Sequence, residues 1–298
     1  QEIRLANEQL SMWFSPQRGG HLYELDLMKI GHNLGSTIQR RKELYHAKVL
    51  QGENVGDDQA ASIHDRVVFK QEGLDERLQY DDRLRTSLVD HFFDEDVNVD
   101  ALMQSTAMER GDFADGDYVA KIRRSAERVQ VMMTREGNAW GVPLKITKGV
   151  TLSPGRNQIE LAWLIEGLPQ DSTMHFATEF NFAGLPDGQD DRYYSACDGT
   201  KLGHLGEKLQ IDDAMGIALA DHWLGVDLSL SMDQPAKIFA YPVQSVSQSE
   251  SGFESVHQAC CVISGWIVKG DADGRWSTRM RLSLQTDAAK TIEAFDQT

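Results

Sequence analysis

The stretch HFATEFNFAG, residues 175–184, places its three phenylalanines two or four residues apart. Successive side chains of a β-strand point to opposite faces of the sheet, so this spacing predicts a strand with two different faces. One face carries Phe176, Thr178, Phe180 and Phe182 and is predicted to pack in a hydrophobic core. The other face is predicted to be open to solvent, and it carries His175, Ala177, Glu179 and Asn181.

The same period of two recurs in residues 158–167, 226–233 and 276–286, whereas helical periodicity is scarce. Turn-forming clusters of Gly, Pro, Asn and Asp separate these segments, as in a succession of antiparallel hairpins. The sequence therefore predicts an all-β fold, a single large sandwich of two antiparallel sheets. The predicted turns lie at residues 17–21, 153–157, 186–191 and 271–275.

Composition indicates a globular protein. The chain has 298 residues, of which 41% are hydrophobic, so it has enough apolar side chains for a substantial core. No Pro- or Ser-rich linker and no internal repeat divides the sequence. Residues 1–298 are therefore predicted to form one β-sandwich domain.

Charge and cysteine usage restrict the partners and the compartment. Lys and Arg total 30 against 46 Asp and Glu, and a net charge of −16 repels phosphate backbones, so nucleic acid is not an expected partner. The sequence shows neither a signal peptide nor an uninterrupted apolar stretch of about 18 residues, so no membrane partner is expected. Cys197, Cys260 and Cys261 form no spaced framework, which predicts a reducing, cytoplasmic compartment.

The polar face of residues 175–184 suits carbohydrate. Glu179 and Asn181 can each form two hydrogen bonds with neighbouring sugar hydroxyls. One such bond contributes only about 1 kcal/mol, so recognition needs several converging groups. The alternative is an ordinary solvated strand face without a ligand.

A second candidate surface lies in YPVQSVSQSESGFESVHQACCVISGW, residues 241–266. Its polar first half changes abruptly into an apolar second half, which predicts a passage from the rim of the sandwich into its core. The alternative is a serine-rich hairpin loop without a ligand. The rim residues expected to contact carbohydrate are Gln248, Glu250, Glu254, His257 and Gln258.

Two adjacent tyrosines, Tyr193 and Tyr194, follow an acidic turn. Tyrosine rings on a loop can stack against sugar rings, so both are candidate carbohydrate contacts. The alternative is that they cap the core.

The sequence offers no catalytic or metal motif. It contains no phosphate-binding glycine loop, no G-x-S-x-G and no H-E-x-x-H, and its carboxylates are too numerous to select a pair by spacing. Two His–Asp pairs, His64 with Asp65 and Asp90 with His91, have metal-ligand chemistry, but buried ion pairs explain them better. No catalytic residue, metal or cofactor is predicted.

Several long blocks, in order, resemble the carboxy-terminal β-sandwich region of glycoside hydrolase family 57, the 4-α-glucanotransferases and α-amylases. They are residues 19–27, 32–46, 62–93, 176–184 and 242–258. The resemblance implies a large super-sandwich similar to galactose mutarotase. It also implies that the catalytic residues of such an enzyme lie on a separate amino-terminal barrel. This sequence has no stretch matching that barrel, so the chain is expected to be the carboxy-terminal part of a longer enzyme.

Three functions are compatible with these observations. The first is a non-catalytic accessory domain that supports the catalytic barrel and contacts α-glucan or maltooligosaccharide. The second is a stand-alone mutarotase or epimerase, which needs a carboxylate base and an acid such as histidine. The third is a purely structural docking module. Candidates for the acid and base of the second are His175, Glu179, Glu250 and His257.

Overall fold

The computed structural model of the protein describes residues 2–51, 69–250 and 252–286. Within these ranges the chain forms sixteen β-strands and two short α-helices. The helices are α1 (His46–Gln51) and α2 (Val99–Met103). The strands are β1 (Ile3–Ala6), β2 (Leu10–Ser15), β3 (His21–Leu27), β4 (His32–Asn33), β5 (Val89–Phe93), β6 (Val119–Arg124), β7 (Val129–Ala139), β8 (Val142–Leu152), β9 (Gln158–Glu166), β10 (Met174–Ala183), β11 (Arg192–Ser195), β12 (Lys201–His204), β13 (Leu209–Asp221), β14 (Val226–Ser249), β15 (Gly252–Val268) and β16 (Arg275–Gln285).

All pairs between these strands are antiparallel, as the hairpin pattern predicts. Strands β1 to β4 form one sheet in chain order. In the second sheet, one path runs β12-β11-β13-β14-β16-β9-β8-β7-β6, and a branch runs from β14 through β15 and β10 to β5. The first half of β14 pairs with β16 and its second half pairs with β15, so β14 joins the path to the branch. The predicted large antiparallel β-sandwich is confirmed.

The main core is the largest buried cluster, and it takes side chains from both sheets. Phe176, Phe180 and Phe182 are fully buried in it, so the prediction for the aromatic face of β10 is confirmed. The alternating strands β9 and β16 also turn their apolar residues inward, and Trp163 is the largest of the fully buried side chains.

The opposite face of β10 is not open to solvent, so that prediction is wrong. Every residue of β10 is buried. The strand lies between β5 and β15, and a second apolar cluster covers this face. That cluster, the outer cluster, consists of Phe93, Val97, Leu102, Ala177, Phe239, Tyr241, Val243, Ala259, Cys261 and Ile263.

The polar-to-apolar change in residues 241–266 is a change along one hairpin. From Ala259 to Trp266 every residue of β15 is buried, which confirms the predicted passage from rim to core. The polar half is not a free loop, because Val246 and Phe253 pack with Val49 of α1 and Leu74 in a third small cluster.

Helical structure is as limited as the sequence predicts. The short helix α1 is one of two helices in the described ranges. Residues 73–84 form turns and irregular chain. In the described ranges, no helix is long and apolar enough to cross a membrane.

Candidate functional site

Glu179 and Asn181 lie in a buried network of charged side chains on the outer-cluster side of β10. The Glu179 side chain is only 10% exposed and lies between Arg85 and His91. Its Oε1 is 3.4 Å from Arg85 Nη1 and accepts a 2.6 Å hydrogen bond from Asn181 Nδ2. We call this network the polar cluster, and define it as Arg40, Asp81, Arg83, Arg85, His91, Glu109, Glu179 and Asn181.

One end of the polar cluster is a carboxylate held by two guanidinium groups. Arg40 donates from Nη2 to Asp81 Oδ1 at 2.6 Å and from Nε to Oδ2 at 3.0 Å. Arg85 donates from Nε to the same Oδ1 at 2.9 Å and from Nη1 to the Tyr241 hydroxyl at 3.0 Å. Burial raises the pKa of Asp81, but the two arginines outweigh it and the net pKa is lowered. Asp81 is thus an ion-pair partner and a poor proton acceptor.

The other end of the polar cluster is a histidine between two carboxylates. His91 Nδ1 is 2.6 Å from Glu109 Oε2, and Nε2 is 3.3 Å from Glu179 Oε2 without hydrogen-bond geometry. Burial lowers the pKa of His91, but Glu109 and Glu179 more than offset it, so the pKa is raised. Burial raises the pKa of Glu179, but Arg85 and His91 hold it well below its usual range. The charged forms of both His91 and Glu179 are therefore favoured.

The polar cluster surrounds a cavity that is too small for a sugar. The cavity is about 60 Å³ and is lined by Arg85, His91, Glu179 and Tyr241, among others. Pockets for small molecules usually measure about 300–1,000 Å³. Glu179 and Asn181 are buried beside this cavity and held by their own ion-pair and hydrogen-bond partners.

The four acid and base candidates are dispersed. Glu250 is exposed at the hairpin end, and His175 is buried with Nδ1 3.3 Å from the Asp94 carbonyl oxygen. His257 lies beside Asp187, with Nδ1 3.4 Å from Oδ2. In the part of the chain that the structure describes, no hydrogen bond or ion pair joins any two of the four candidates, Glu179 included.

The five rim residues do not form one surface. Gln248 and Glu250 are exposed as predicted. Glu254 forms a 2.8 Å ion pair with Lys70. The His257 side chain is only 6% exposed, whereas Gln258 is half-buried and donates a 2.8 Å hydrogen bond to Ser245 Oγ. The prediction of outward orientation is wrong for His257, because Asp187 lies against its side chain.

The two tyrosines separate. Tyr194 is fully buried and its hydroxyl donates to the Leu205 carbonyl oxygen, so it caps the core. Tyr193 is half-buried and lies edge-on to His222, with ring centroids 5.5 Å apart. Beside them, the indole of Trp223 is 71% exposed, which sequence reasoning missed. A tryptophan in the turn segment DHWLG between two strands was the available signal.

Asp90 and His91 lie on opposite faces of β5, as the period of two requires. Asp90 Oδ2 forms a 2.8 Å ion pair with Lys148 in the main core, whereas His91 belongs to the polar cluster. This confirms the prediction of buried ion pairs for Asp90 and His91. The pair His64 and Asp65 lies outside the described residues. Among the residues that are described, no group of three or more His, Cys, Asp or Glu side chains is arranged to hold a metal ion.

The arrangement of the strands defines the structural class. A galactose mutarotase-like protein from Clostridium acetobutylicum superposes with a TM-score of 0.53 at 9% identity, over 96% of this chain and 95% of that one. The 4-α-glucanotransferase of Thermococcus litoralis gives a TM-score of 0.72 at 20% identity, over 96% of this chain and 39% of that one. The fold is therefore the mutarotase-like β-sandwich that the resemblance implies.

The sequence places the chain in a particular family of this class. Residues 1–280 match the model of the alpha-amylase/4-alpha-glucanotransferase C-terminal family, and the chain belongs to that family. It is 26% identical to alpha-amylase 1 of Dictyoglomus thermophilum over 94% of this chain and 40% of the relative. It is also 26% identical to the 4-alpha-glucanotransferase of Thermococcus kodakarensis over 91% of this chain and 37% of the relative. The chain thus spans about two fifths of the length of the relatives it matches.

Proposed function

We propose that this chain is a non-catalytic accessory domain of an enzyme that acts on α-glucan, an α-amylase or a 4-α-glucanotransferase. In this proposal an amino-terminal catalytic barrel performs the bond chemistry, and the β-sandwich supports the barrel. The observation that carries the proposal is the closed polar cluster: its acids and bases are paired with one another around a cavity of about 60 Å³. Membership of the C-terminal family supports the same conclusion.

The supporting role has a candidate surface on strand β6. This strand is at one end of the larger sheet path, and it exposes one apolar side chain on each face, Val119 (69% exposed) and Ile122 (46% exposed). Unpaired strand edges and exposed apolar side chains are features of surfaces that associate with other chains or domains. A purely structural docking module would use the same surface, so the two proposals differ only in carbohydrate contact.

Contact with α-glucan or maltooligosaccharide is the second half of the proposal. Its candidate residues are the exposed Gln248 and Glu250 at the hairpin end and the half-buried Tyr193. Glu179, Asn181, Tyr194 and His257 are left out of this role because their side chains are buried.

The proposal also includes a cytoplasmic location. All three cysteines of the sequence are free thiols, and Cys260 and Cys261 are buried. Burial raises the pKa of Cys260 to about 12, so this thiol is not a reactive nucleophile. A reducing compartment is consistent with adjacent cysteines that are not oxidised.

The test is the activity of the 298-residue chain by itself. We expect no hydrolysis of starch, no transfer of glucose units between maltooligosaccharides and no acceleration of the mutarotation of fresh α-glucose in a polarimeter. Calorimetric titration with maltoheptaose is expected to show weak binding at millimolar sugar. Turnover of any of these substrates by the chain alone would overturn the accessory role. If the titration shows no heat of binding, only the proposed contact with carbohydrate is overturned.

A further inference from the structure

The turn between β13 and β14 presents the most exposed aromatic ring among the large hydrophobic side chains of the described residues. Trp223 is 71% exposed, and the turn spans residues 222–225. Along this hairpin, the nearest other strongly exposed apolar side chain among the described residues is Met215, which precedes the end of β13 by six residues, or about 20 Å of strand. A protein-docking surface would usually group several apolar residues.

Hydrogen bonds to buried groups fix the conformation of this turn. Asp221 is fully buried, and its Oδ1 accepts a 2.9 Å hydrogen bond from the Leu224 amide. The same oxygen lies 3.4 Å from Nε of Arg192. The His222 amide donates to the Asp191 carbonyl oxygen at 3.1 Å. These contacts hold the turn in one conformation before any ligand arrives.

The indole itself is oriented by Arg192. The guanidinium carbon lies 5.6 Å from the ring centroid of Trp223, which is cation–π distance. Arg192 therefore packs on the ring, while 71% of the Trp223 surface stays open to solvent. A ring that is already oriented loses less conformational entropy when it binds a ligand.

Hydrogen-bonding side chains lie close to Trp223 in the sequence, because His222 directly precedes it and Asp227 follows it by four residues. His222 and Asp227 are each 47% exposed, and His222 Nε2 is 3.8 Å from Asp227 Oδ1. Tyr193 lies edge-on to His222, and Lys201 Nζ is 3.9 Å from the centroid of the tyrosine ring. An exposed aromatic face with donors and acceptors at its edge matches a sugar ring, which has an apolar C–H face and a rim of hydroxyls.

We propose that Trp223 is the stacking platform of a surface site for α-glucan, with His222 and Asp227 as hydrogen-bonding partners and Arg192 as the residue that positions the indole. This inference rests on the carbohydrate half of the proposed function and assigns it to a new place, distinct from the hairpin end at Gln248 and Glu250. The ligand, a maltooligosaccharide, follows from the proposed function, and one ring with two partners has room to contact one or two of its sugar units.

The experiment compares binding of maltoheptaose to the 298-residue chain and to the variants W223A and W140A. Trp140 is the matched control because it is also a partly exposed tryptophan, 41% exposed, on a different turn. We expect W223A to weaken binding about tenfold or more, the loss of about 1.4 kcal/mol that an aromatic anchor commonly provides. W140A is expected to bind within about twofold of the unsubstituted chain.

A second variant keeps the experiment decisive if W223A folds poorly. W223F retains an aromatic ring but lacks the indole, so it should bind maltoheptaose while losing the sugar-induced change in tryptophan fluorescence. If the unsubstituted chain binds maltoheptaose and folded W223A binds it with the same affinity, this site is wrong and the proposed function stays intact. Absence of maltoheptaose binding by the unsubstituted chain would overturn this site and the carbohydrate half together. If W223A loses association with a protein partner and keeps glucan affinity, Trp223 is a docking residue and the inference is wrong.

Discussion

Two neighbouring residues of β5, Asp90 and His91, enter two very different buried environments. Asp90 forms an ion pair with Lys148 in the main core, and both side chains are fully buried. Lys148 Nζ also donates to the carbonyl oxygens of Gly19 and Leu88, and Asp90 accepts from Tyr118 and Trp163. Each polar atom of this pair has a partner, so it is a structural element without capacity for a ligand.

The polar cluster on the other side is less completely satisfied. His91 Nε2 and Asn181 Oδ1 have no hydrogen-bond partner among the described residues, and a small cavity lies beside His91. A buried polar group without a partner costs stability, so this side of β10 is expected to be the weaker one. Two adjacent residues of β5 are therefore expected to differ in how much their buried ion pairs contribute to the free energy of unfolding.

The largest expected effect is on the Lys148–Asp90 pair. The substitution K148M leaves Asp90 as a buried carboxylate without its cation, which is expected to cost about 3–5 kcal/mol in the free energy of unfolding. Urea denaturation measures this cost. The control is K145M on the same strand, because Lys145 pairs with Glu166 at the surface and an exposed pair contributes at most about 1 kcal/mol. Equal losses in the two variants would contradict the difference between the pairs.

The two buried histidines, His21 and His91, should respond to pH in opposite directions. Burial, and then Lys148, lower the pKa of His21 to about 4. A lowered folded-state pKa means that His21 adds stability above its unfolded pKa of about 6.5, and that this stability is lost as the pH falls towards 4. Between pH 7 and pH 4 the unsubstituted chain is expected to lose about 3 kcal/mol more than H21Q.

The contribution of His91 has the opposite sign. Its pKa is raised, so its stabilising effect is complete below pH of about 6.5 and is lost as the pH rises through the folded-state value. The variant H91Q should therefore be most destabilised relative to the unsubstituted chain at acidic pH, whereas H21Q should be most destabilised near neutral pH. Denaturation curves at several pH values distinguish the two patterns, and parallel curves for both variants would contradict them.

A smaller effect is expected within the polar cluster. The substitution E179Q removes the charge that faces Arg85 and His91, and should cost about 2 kcal/mol in the free energy of unfolding, as charge-assisted hydrogen bonds commonly do. The control E250Q changes an exposed carboxylate at the hairpin end and should stay within about 0.5 kcal/mol. If the two variants unfold at the same denaturant concentration, Glu179 is not the ion-pair partner that its geometry indicates.

The fold was largely predictable because an alternating sequence directly reports which side chains share a face. The aromatic face of β10 and the apolar faces of β9 and β16 are buried as predicted. Alternation does not report what covers the second face, so Glu179 was wrongly expected in solvent. Its partner Arg85 is 94 residues away in the sequence, and a contact of that separation leaves no local signal.

The candidate sites were less predictable for the same reason. Period two correctly separates Asp90 from His91, but it cannot tell that Asp187 covers the His257 side chain while Gln248, on the same strand pair, stays exposed. Trp223 was missed because a turn residue belongs to no periodic pattern. That residues 1–298 form one domain stays a prediction.

The most direct test of the account is a crystal structure of the 298-residue chain with maltoheptaose at high concentration. We expect a sugar unit stacked on Trp223 and a polar cluster in which Arg85, His91 and Glu179 keep their mutual contacts. A sugar ring bound between His91 and Glu179 would contradict it, because that position would supply an acid and a base at a single sugar site.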